Sequence, residues 1–405
     1  MTSFDTSPQL NVWRALLALA VVFVMLATTG WTALRNHRSA APLEASLSAW
    51  DRGSIAGHSL PDADSSPTRL ARFFASLTDQ QRGTLAIRYP LAVGNMNGAP
   101  VELRYRANRI ALGEARDVER KRMHDKGLTP EGQREAGRRM HRFEDMMQAD
   151  RHILAFDPEG SGRAAEVFGD LTKAERISVV VPGVDTNLLT FQRTTRKYSA
   201  PVGMAQSLYA AERAASPSTR TAVIAWADYT SPDGLGIDSA TAMRAASGAV
   251  RLNALVRALP GSSPVSLFCH SYGSVLCGLA AHTLPRRVAD IAVAGSPGMR
   301  VEKASQLRTS ARVWAMRDAD DWVQDVPYLE LGGLGHGEDP VSAVFGARVL
   351  SAWKAKGHGG YFEPGTDSVA NFAEIGVGAY ESVRCADDAE ACRAGLSDTA
   401  SAGRA

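Results

Sequence analysis

The sequence FCHSYGS at residues 268–274 indicates the fold class, because it places a serine in a sharp turn between an apolar run and a helical segment. It fits the pattern G-x-S-x-G, with Cys269 in place of the first glycine. Such a turn lifts the serine out in a strained conformation, so the residues beside it must be small. Gly273 meets that need on one side. We predict that Ser271 is a nucleophile, with an ordinary turn serine as the alternative.

Short apolar runs alternate with helical stretches on both sides of this turn. The runs are apolar almost throughout, which is typical of strands covered on both faces. They are Ile177–Val181, Ala222–Trp226, Val265–Cys269, Ile291–Ala294, Arg312–Met316 and Ala347–Trp353. Helices are predicted around Met204–Ala215, Ala240–Ala258, Ser274–Thr283 and Val341–Phe345. The alternation predicts an α/β fold over residues 171–385, with a mostly parallel sheet between two helical layers.

Reactive groups in such sheets lie on loops at the carboxyl ends of the strands. After the fifth run, three aspartates crowd one loop, namely Asp318, Asp320 and Asp321. We favour Asp321 as the catalytic carboxylate, because the apolar pair 322–323 that follows it would pack the loop down and bury it. Asp318 and Asp320 stay open as alternatives.

His358 follows the last apolar run and is flanked by glycines, so its loop can bring the imidazole to a serine. His336 lies before that run and is the alternative. His270 is expected to point away from its neighbour Ser271 and to be structural. The order Ser271, Asp321, His358 is the chain order of α/β-hydrolases. In that triad the histidine takes the serine proton and the aspartate orients the imidazole.

An oxyanion hole is predicted from two backbone N–H groups. Val184 follows the first apolar run, in the turn that supplies one donor in this type of fold, and Tyr272 follows the nucleophile. Gly183 would let the first loop approach closely. A plain Pro-Gly turn is the alternative. We interpret Cys269 and Cys277 as small buried hydrophobic residues.

The N-terminal segment is the most apolar part of the chain, since residues 15–33 carry no charge. We predict a transmembrane helix at about 13–34, with tryptophans near both ends. A cleaved signal peptide and a buried core helix are the alternatives. Residues 1–38 are then a membrane anchor or signal segment, 39–67 a linker, 68–170 a helical region packing on the core, and 386–405 a flexible tail.

Composition excludes several classes of protein. The net charge of +2 gives no global field for nucleic acid, and none of the four cysteines has the spacing of a structural zinc site. We predict no cofactor and no metal. Cys385 and Cys392 could close a small disulfide loop, which would place the domain outside the cytoplasm. Two free surface cysteines are the alternative.

Residues 77–385 resemble an actinobacterial α/β-hydrolase family that is catalogued as a domain of unknown function. The matching segments are Gly94-Asn95, Gly98-Ala99-Pro100, Arg106-Ala107-Asn108-Arg109, Val181-Pro182-Gly183-Val184-Asp185-Thr186, His270-Ser271-Tyr272-Gly273-Ser274, Gly295-Ser296-Pro297-Gly298 and Gly357-His358-Gly359-Gly360-Tyr361. The family usually has glycine at the position of Cys269. The resemblance implies the fold and a serine-hydrolase mechanism, and it implies no defined substrate.

The chain between Ala294 and Arg312 is too short for the cap domain that many such folds insert there. Any cover must come from the helical region or from the glycine-rich loop 331–338. A fairly open site suits a carboxylic ester, either a small molecule or a lipid, especially beside a membrane. An acyltransferase with the same triad and a non-catalytic, membrane-tethered binding module are the alternatives.

Overall fold

An eight-stranded sheet forms the centre of the molecule, in a computed structural model that describes residues 41–386 and 390–396. The strands are β3 His152–Asp157, β4 Arg163–Phe168, β5 Arg176–Val181, β6 Thr221–Ala227, β7 Val265–His270, β8 Val288–Ala294, β9 Arg312–Met316 and β12 Arg348–Val349. Their order in the sheet is β12-β9-β8-β7-β5-β6-β4-β3. From β6 to β12 all neighbours pair parallel, and β4 and β3 extend the sheet antiparallel.

Two small hairpins lie outside this sheet. They consist of β1 Ser54–Ile55 with β2 His58–Ser59, and of β10 Glu330–Leu331 with β11 Leu334–Gly335. The helices are α1 Pro42–Asp51, α2 Pro67–Ser76, α3 Asp79–Arg88, α4 Pro90–Asn95, α5 Val101–Arg122, α6 Pro130–Met146, α7 Pro201–Ala215, α8 Ile237–Ala240, α9 Met243–Ala258, α10 Tyr272–Ala280 and α11 Asp367–Val377.

Helices cover both faces of the sheet. In β5, Val179 and Val181 join the core on one face, with α9 and α10, while Val180 joins the other, with α5, α6, α7 and α11. Because successive side chains of a strand point to opposite faces, burial on both sides requires an unbroken apolar run. This is why the central strands were readable from the sequence.

The predicted strands match β5 to β9 closely, but the last one does not. The run 347–353 contributes only Arg348–Val349 to the sheet, because the N–H of Ser351 turns away to the carbonyl of Arg384. The helix predicted at 341–345 is also absent from the described structure. Side chains take its backbone donors instead, since Asp339 accepts from the N–H of Val341.

The prediction of a helical region over 68–170 is wrong for its last part, which forms the strands β3 and β4. Strand β4 pairs with β6 and therefore belongs to the central sheet. Its sequence RAAEVF includes an acidic residue, which reads as a surface position. Glu166 is nevertheless buried and forms an ion pair with Arg151. A buried charge needs such a partner.

Strand β3 is the edge of the sheet, and its outer backbone groups are bonded by side chains. The amide of Asn95 accepts from the N–H of Phe156 at 3.0 Å and donates to the carbonyl of the same residue at 2.7 Å. Asn108 donates to the carbonyl of Ile153 at 2.9 Å. The two asparagines thus take the place of a further strand.

The segment predicted as a linker, 39–67, differs from that prediction wherever it is described. Helix α1 begins at Pro42, which suits the first turn of a helix. Its Trp50 is fully buried against Phe74 and Tyr89. Alanine and serine had suggested a linker, but Trp50 supplies the apolar anchor that fixes the segment.

The predicted membrane span at 13–34 lies outside the described residues. Over the described ranges, no helix is long and apolar enough to cross a bilayer. In the predicted flexible tail, Glu390–Arg393 forms a short 3₁₀ turn that is held to the core by the disulfide Cys385–Cys392. Arg348 donates to the carbonyl of Cys392 at 2.7 Å. The pairing of these two cysteines was one of the two outcomes that the sequence left open.

Candidate active site

Ser271 lies at the turn between β7 and α10 in a strained conformation, with φ of 55° and ψ of −129°. Few non-glycine residues adopt positive φ, and strain of this kind is concentrated at functional sites. Small neighbours make the turn possible. A Cβ on Gly273 would lie 2.4 Å from the carbonyl oxygen of Val181. The serine itself is 7% exposed.

We interpret Cys269 and Cys277 from the sequence as small buried hydrophobic residues, but in the structure they form a disulfide with each other. Both cysteines are buried, so that part of the expectation agrees with the structure. The bond joins the end of β7 to the second turn of α10 and therefore spans the turn that carries Ser271. A sequence separation of eight residues gave no signal for this pairing, because it depends on how the helix folds back.

The structure brings Ser271, His358 and Asp321 into one line of hydrogen bonds. Nε2 of His358 lies 2.7 Å from Oγ of Ser271, and Nδ1 lies 2.8 Å from Oδ1 of Asp321. A carboxylate can only accept, so Nδ1 carries the imidazole proton and Nε2 is left to accept from the serine hydroxyl. This is the tautomer that a general base requires.

Asp321 is fully buried and bonded at both oxygens. Oδ1 also accepts from the N–H of Val323 at 2.9 Å, and Oδ2 accepts from the hydroxyl of Tyr361 at 2.5 Å. Burial alone would raise the pKa of Asp321, but the hydrogen bond and attraction of His358, with these two donors, outweigh burial and hold it below its ordinary value. The carboxylate therefore stays ionised beside the imidazole.

Tyr361 was not identified from the sequence as a site residue, although it closes the quoted segment 357–361. Its hydroxyl donates to Asp321 and accepts from the N–H of Asp318 at 3.0 Å. Burial, followed by the charge of Asp321, raises the pKa of this phenol, so the hydroxyl keeps its proton and remains a donor. No periodicity in the sequence could indicate a contact across forty residues.

The two alternative acid candidates, Asp318 and Asp320, lie close to His358 but do not bond its ring nitrogens. Asp318 accepts from the N–H of Gly357 at 2.8 Å, which ties the histidine loop to the aspartate loop. Asp320 is exposed. His336, the alternative histidine, donates from Nε2 to the carbonyl of Ser239 at 2.8 Å.

His270 is buried and points away from Ser271, toward the histidine loop. Its Nε2 lies 2.6 Å from the carbonyl oxygen of His358 and donates to it. Burial, reinforced by the neighbouring His358, lowers the pKa of His270 to about 3. A neutral ring at this place fixes the backbone of the triad histidine without adding a competing positive charge.

The predicted oxyanion donors lie beside the nucleophile. Within residues 41–386, the N–H groups of Val184 and Tyr272 donate to no backbone carbonyl. Gly183 lies against the turn, since a Cβ there would come within 2.6 Å of the Cβ of Ser271. Val184 and Tyr272 line the same cavity as Ser271. An oxyanion at Ser271 would find free N–H donors there.

Two cavities open beside the triad, one lined by Ser271 and the other by His358. The first, here called the apolar cavity, has a volume of about 510 Å³. Ser271 forms part of its wall, which is largely apolar and includes seven aliphatic side chains: Val184, Leu235, Val323, Val326, Leu329, Leu331 and Leu334. The hairpin β10–β11 supplies its cover, which agrees with one of the two sources considered from the sequence.

The second cavity, here called the basic cleft, has a volume of about 800 Å³. His358 forms part of its wall, together with three cationic side chains, Arg196, Lys354 and Lys356. Trp322 lines both cavities, and its ring lies 4.6 Å from that of His358. Across the described ranges, no group of three or more potential metal ligands is found.

Comparison with known proteins agrees with this architecture. Residues 157–331 match a family model described as alpha/beta hydrolase. The fold is that of an alpha/beta hydrolase. The predicted resemblance to such a family is confirmed, and the matched residues carry β4 to β10 with the turn at Ser271.

Two proteins that this chain resembles in sequence are uncharacterized mycobacterial proteins. One, from Mycobacterium tuberculosis, is 26% identical over 79% of this chain and 57% of its own length. One from Mycobacterium bovis is 35% identical over 36% of this chain and 55% of its own length. The chain thus spans little more than half the length of the curated relatives it matches.

Two hydrolases are among the solved structures that match parts of this chain. The 2,6-dihydroxy-pseudo-oxynicotine hydrolase is 10% identical, with a TM-score of 0.29, over 62% of this chain and 81% of that one. A carboxylesterase from Lactobacillus plantarum is 14% identical, with a TM-score of 0.25, over 45% of this chain and 74% of that one.

Proposed function

We propose that this alpha/beta hydrolase is a serine esterase that cleaves a carboxylic ester through an acyl-enzyme. The observation that carries the proposal is the unbroken line of hydrogen bonds from Ser271 through His358 to Asp321. Such a line activates a hydroxyl that is a weak nucleophile by itself. A strained serine next to free backbone donors and a cavity supports the same conclusion.

Each residue has a defined role in the proposed reaction. Oγ of Ser271 attacks the ester carbonyl while Nε2 of His358 takes its proton. Asp321 stabilises the imidazolium, and the N–H groups of Val184 and Tyr272 hold the oxyanion. His358 then gives the proton to the leaving alcohol. Water repeats these steps on the acyl-enzyme and frees the acid.

A fluorophosphonate probe tests the nucleophile directly, because it reacts with an activated serine whatever the substrate. We expect the wild type to be labelled and to hydrolyse 4-nitrophenyl esters. Ser271→Ala should lose both the labelling and the hydrolysis, while its thermal stability stays nearly unchanged. Ser239→Ala is the matched control, since this serine lines the same cavity without touching His358. It should be labelled normally.

The outcomes separate the alternatives. A wild type that takes no probe and behaves like Ser271→Ala on every ester would indicate a non-catalytic binding module. Labelling with little release of free acid, and faster turnover when a second alcohol is added, would indicate an acyltransferase. Both activities use the same triad and differ in what takes up the acyl group.

We further propose that residues 13–34 anchor the chain in a membrane, with the catalytic domain outside the cytoplasm. The uncharged run at 15–33 supports the anchor. Two disulfides, Cys269–Cys277 and Cys385–Cys392, support an oxidising compartment. Protease added to intact cells should digest the domain. A domain that stays protected until the cells are lysed would place it in the cytoplasm.

A further inference from the structure

The two cavities beside the triad have opposite chemical character. Four leucines and three valines line the apolar cavity, whereas one arginine and two lysines line the basic cleft. They meet at Trp322, which lines both, next to the ring of His358. A substrate held at Ser271 can therefore extend one part into each cavity.

The triad determines which part of an ester enters which cavity. Ser271, Val184 and Tyr272 line the apolar cavity, so the carbonyl that is attacked and its acyl chain lie on that side. His358 lines the basic cleft. This histidine must protonate the leaving oxygen, and a proton donor has to lie within hydrogen-bond reach of its acceptor. The alcohol part of the ester therefore leaves through the basic cleft.

The cations of the cleft are available for a ligand. Within the part of the chain that the structure describes, Arg196, Lys354 and Lys356 form no ion pair, and Lys354 only packs on the ring of Trp353 at 4.3 Å. Glu363 is the one carboxylate in the cleft wall. Arg196 and Lys354 have φ of 48° and 68°, a backbone region that ordinary side chains rarely adopt and that is enriched at functional sites.

Building on the proposed esterase activity, we propose that the substrate joins an apolar acyl chain to an alcohol that carries a negative charge. The chain fills the apolar cavity, whose volume is in the range that binds small ligands. The anionic group of the alcohol lies among the cations of the basic cleft and is released with the alcohol. Arg196 and Lys356 recognise this charge, and the leucines of the hairpin β10–β11 contact the chain.

A pair of esters with the same acyl chain tests this assignment. We would measure kcat/KM for 4-nitrophenyl octanoate and for 4-nitro-3-(octanoyloxy)benzoate, whose leaving phenol carries a carboxylate. In the double variant Arg196→Gln, Lys356→Gln, the ratio of the anionic to the neutral ester should fall about ten-fold. Each contact between exposed charges can change this ratio of kcat/KM values by up to about five-fold. Raising the salt from about 0.1 to 0.5 M should lower the ratio in the wild type and much less in the variant.

Lys126→Gln is the matched control, because this exposed lysine lies in the loop between α5 and α6 and lines neither cavity. It should leave both rates unchanged. A ratio that is the same in wild type and double variant would overturn the anionic alcohol while leaving the esterase intact. A wild type that cleaves neither ester and takes no fluorophosphonate would defeat the proposed function itself.

A second variant tests the other half of the assignment. Ala240→Phe places a large ring in the apolar cavity from helix α8. The preferred acyl chain should become shorter, while a small fluorophosphonate still labels Ser271. An unchanged chain-length preference would show that the acyl chain lies elsewhere.

Discussion

Two aspartates three residues apart support His358 in different ways. Asp321 bonds the imidazole, whereas Asp318 bonds the backbone of the loop at Gly357. An amide in place of the first cannot stabilise an imidazolium and favours the wrong tautomer. An amide in place of the second still offers an oxygen to the N–H. The two residues therefore differ in what an Asp→Asn change removes.

We expect Asp321→Asn to lower kcat about 10⁴-fold, the size of the same change in a well-studied serine protease triad. Asp318→Asn should cost less than about ten-fold and is the matched control. Hydrolysis of 4-nitrophenyl octanoate measures both. The reverse order of effects would show that Asp318 is the catalytic acid, with the mechanism unchanged.

Tyr361 fixes the second oxygen of Asp321, and its loss should be felt in kcat. Hydrogen bonds to charged groups are typically worth about 1.5–3 kcal/mol, so Tyr361→Phe should lower kcat about ten-fold or more with little change in KM. Tyr380→Phe is the control, because its hydroxyl donates to a buried aspartate, Asp290, in the same way but away from the site. Equal kcat in the two variants would contradict a positioning role.

The disulfide Cys269–Cys277 joins strand β7 to helix α10 across the turn that carries Ser271. Closing a loop of this length should contribute about 2–3 kcal/mol by restricting the unfolded chain. We expect the double variant Cys269→Ala, Cys277→Ala to unfold at a lower urea concentration. Its free energy of unfolding should be lower by that amount. Fluorophosphonate labelling should persist, because Gly273 and the hydrogen bonds of β7 still define the turn.

The second disulfide provides the comparison. The double variant Cys385→Ser, Cys392→Ser opens a loop of similar length that is remote from Ser271. It should lose similar stability and keep full activity. If the Cys269, Cys277 variant unfolds like the wild type, the bond does not stabilise the folded chain.

The sequence predicted those elements whose burial requires a simple pattern. Strands β5 to β9 are covered on both faces and are therefore apolar throughout, and the triad candidates could be sought at their ends. Strand β4 was not predicted, because its Glu166 is buried with Arg151 in an ion pair that only the fold creates. Helix α1 was not predicted, because its burial depends on one tryptophan, Trp50, in a segment rich in alanine and serine.

The site was predictable to the extent that it follows from chain order. Ser271, Asp321 and His358 each follow a strand, so their approach at one edge of the sheet could be expected. The supporting contacts could not. His270 reaches the backbone of a loop eighty-eight residues away, and Tyr361 reaches an aspartate on another loop. Such contacts depend on side-chain directions that neither spacing nor periodicity encodes.

We expect residues 68–170 and the central sheet to form one folding unit. Strand β4 pairs with β6, and Phe143 of α6 packs in the same apolar core as Phe268 of β7. A fragment of residues 68–170 would expose both the sheet edge and this core. We expect it to give a poorly dispersed NMR spectrum, whereas a well-folded, cooperative fragment would contradict a single unit.

The asparagines on strand β3 have a consequence for the behaviour of the protein at high concentration. An open sheet edge is a template on which strands of other copies can add, and repeated addition leads to aggregation. Asn95 and Asn108 occupy the backbone groups that such an addition would need. At the opposite edge, β12 is only two residues long and offers little to pair with. The side-chain amides of Asn95 and Asn108 therefore leave these backbone groups of β3 unavailable to a strand from another copy.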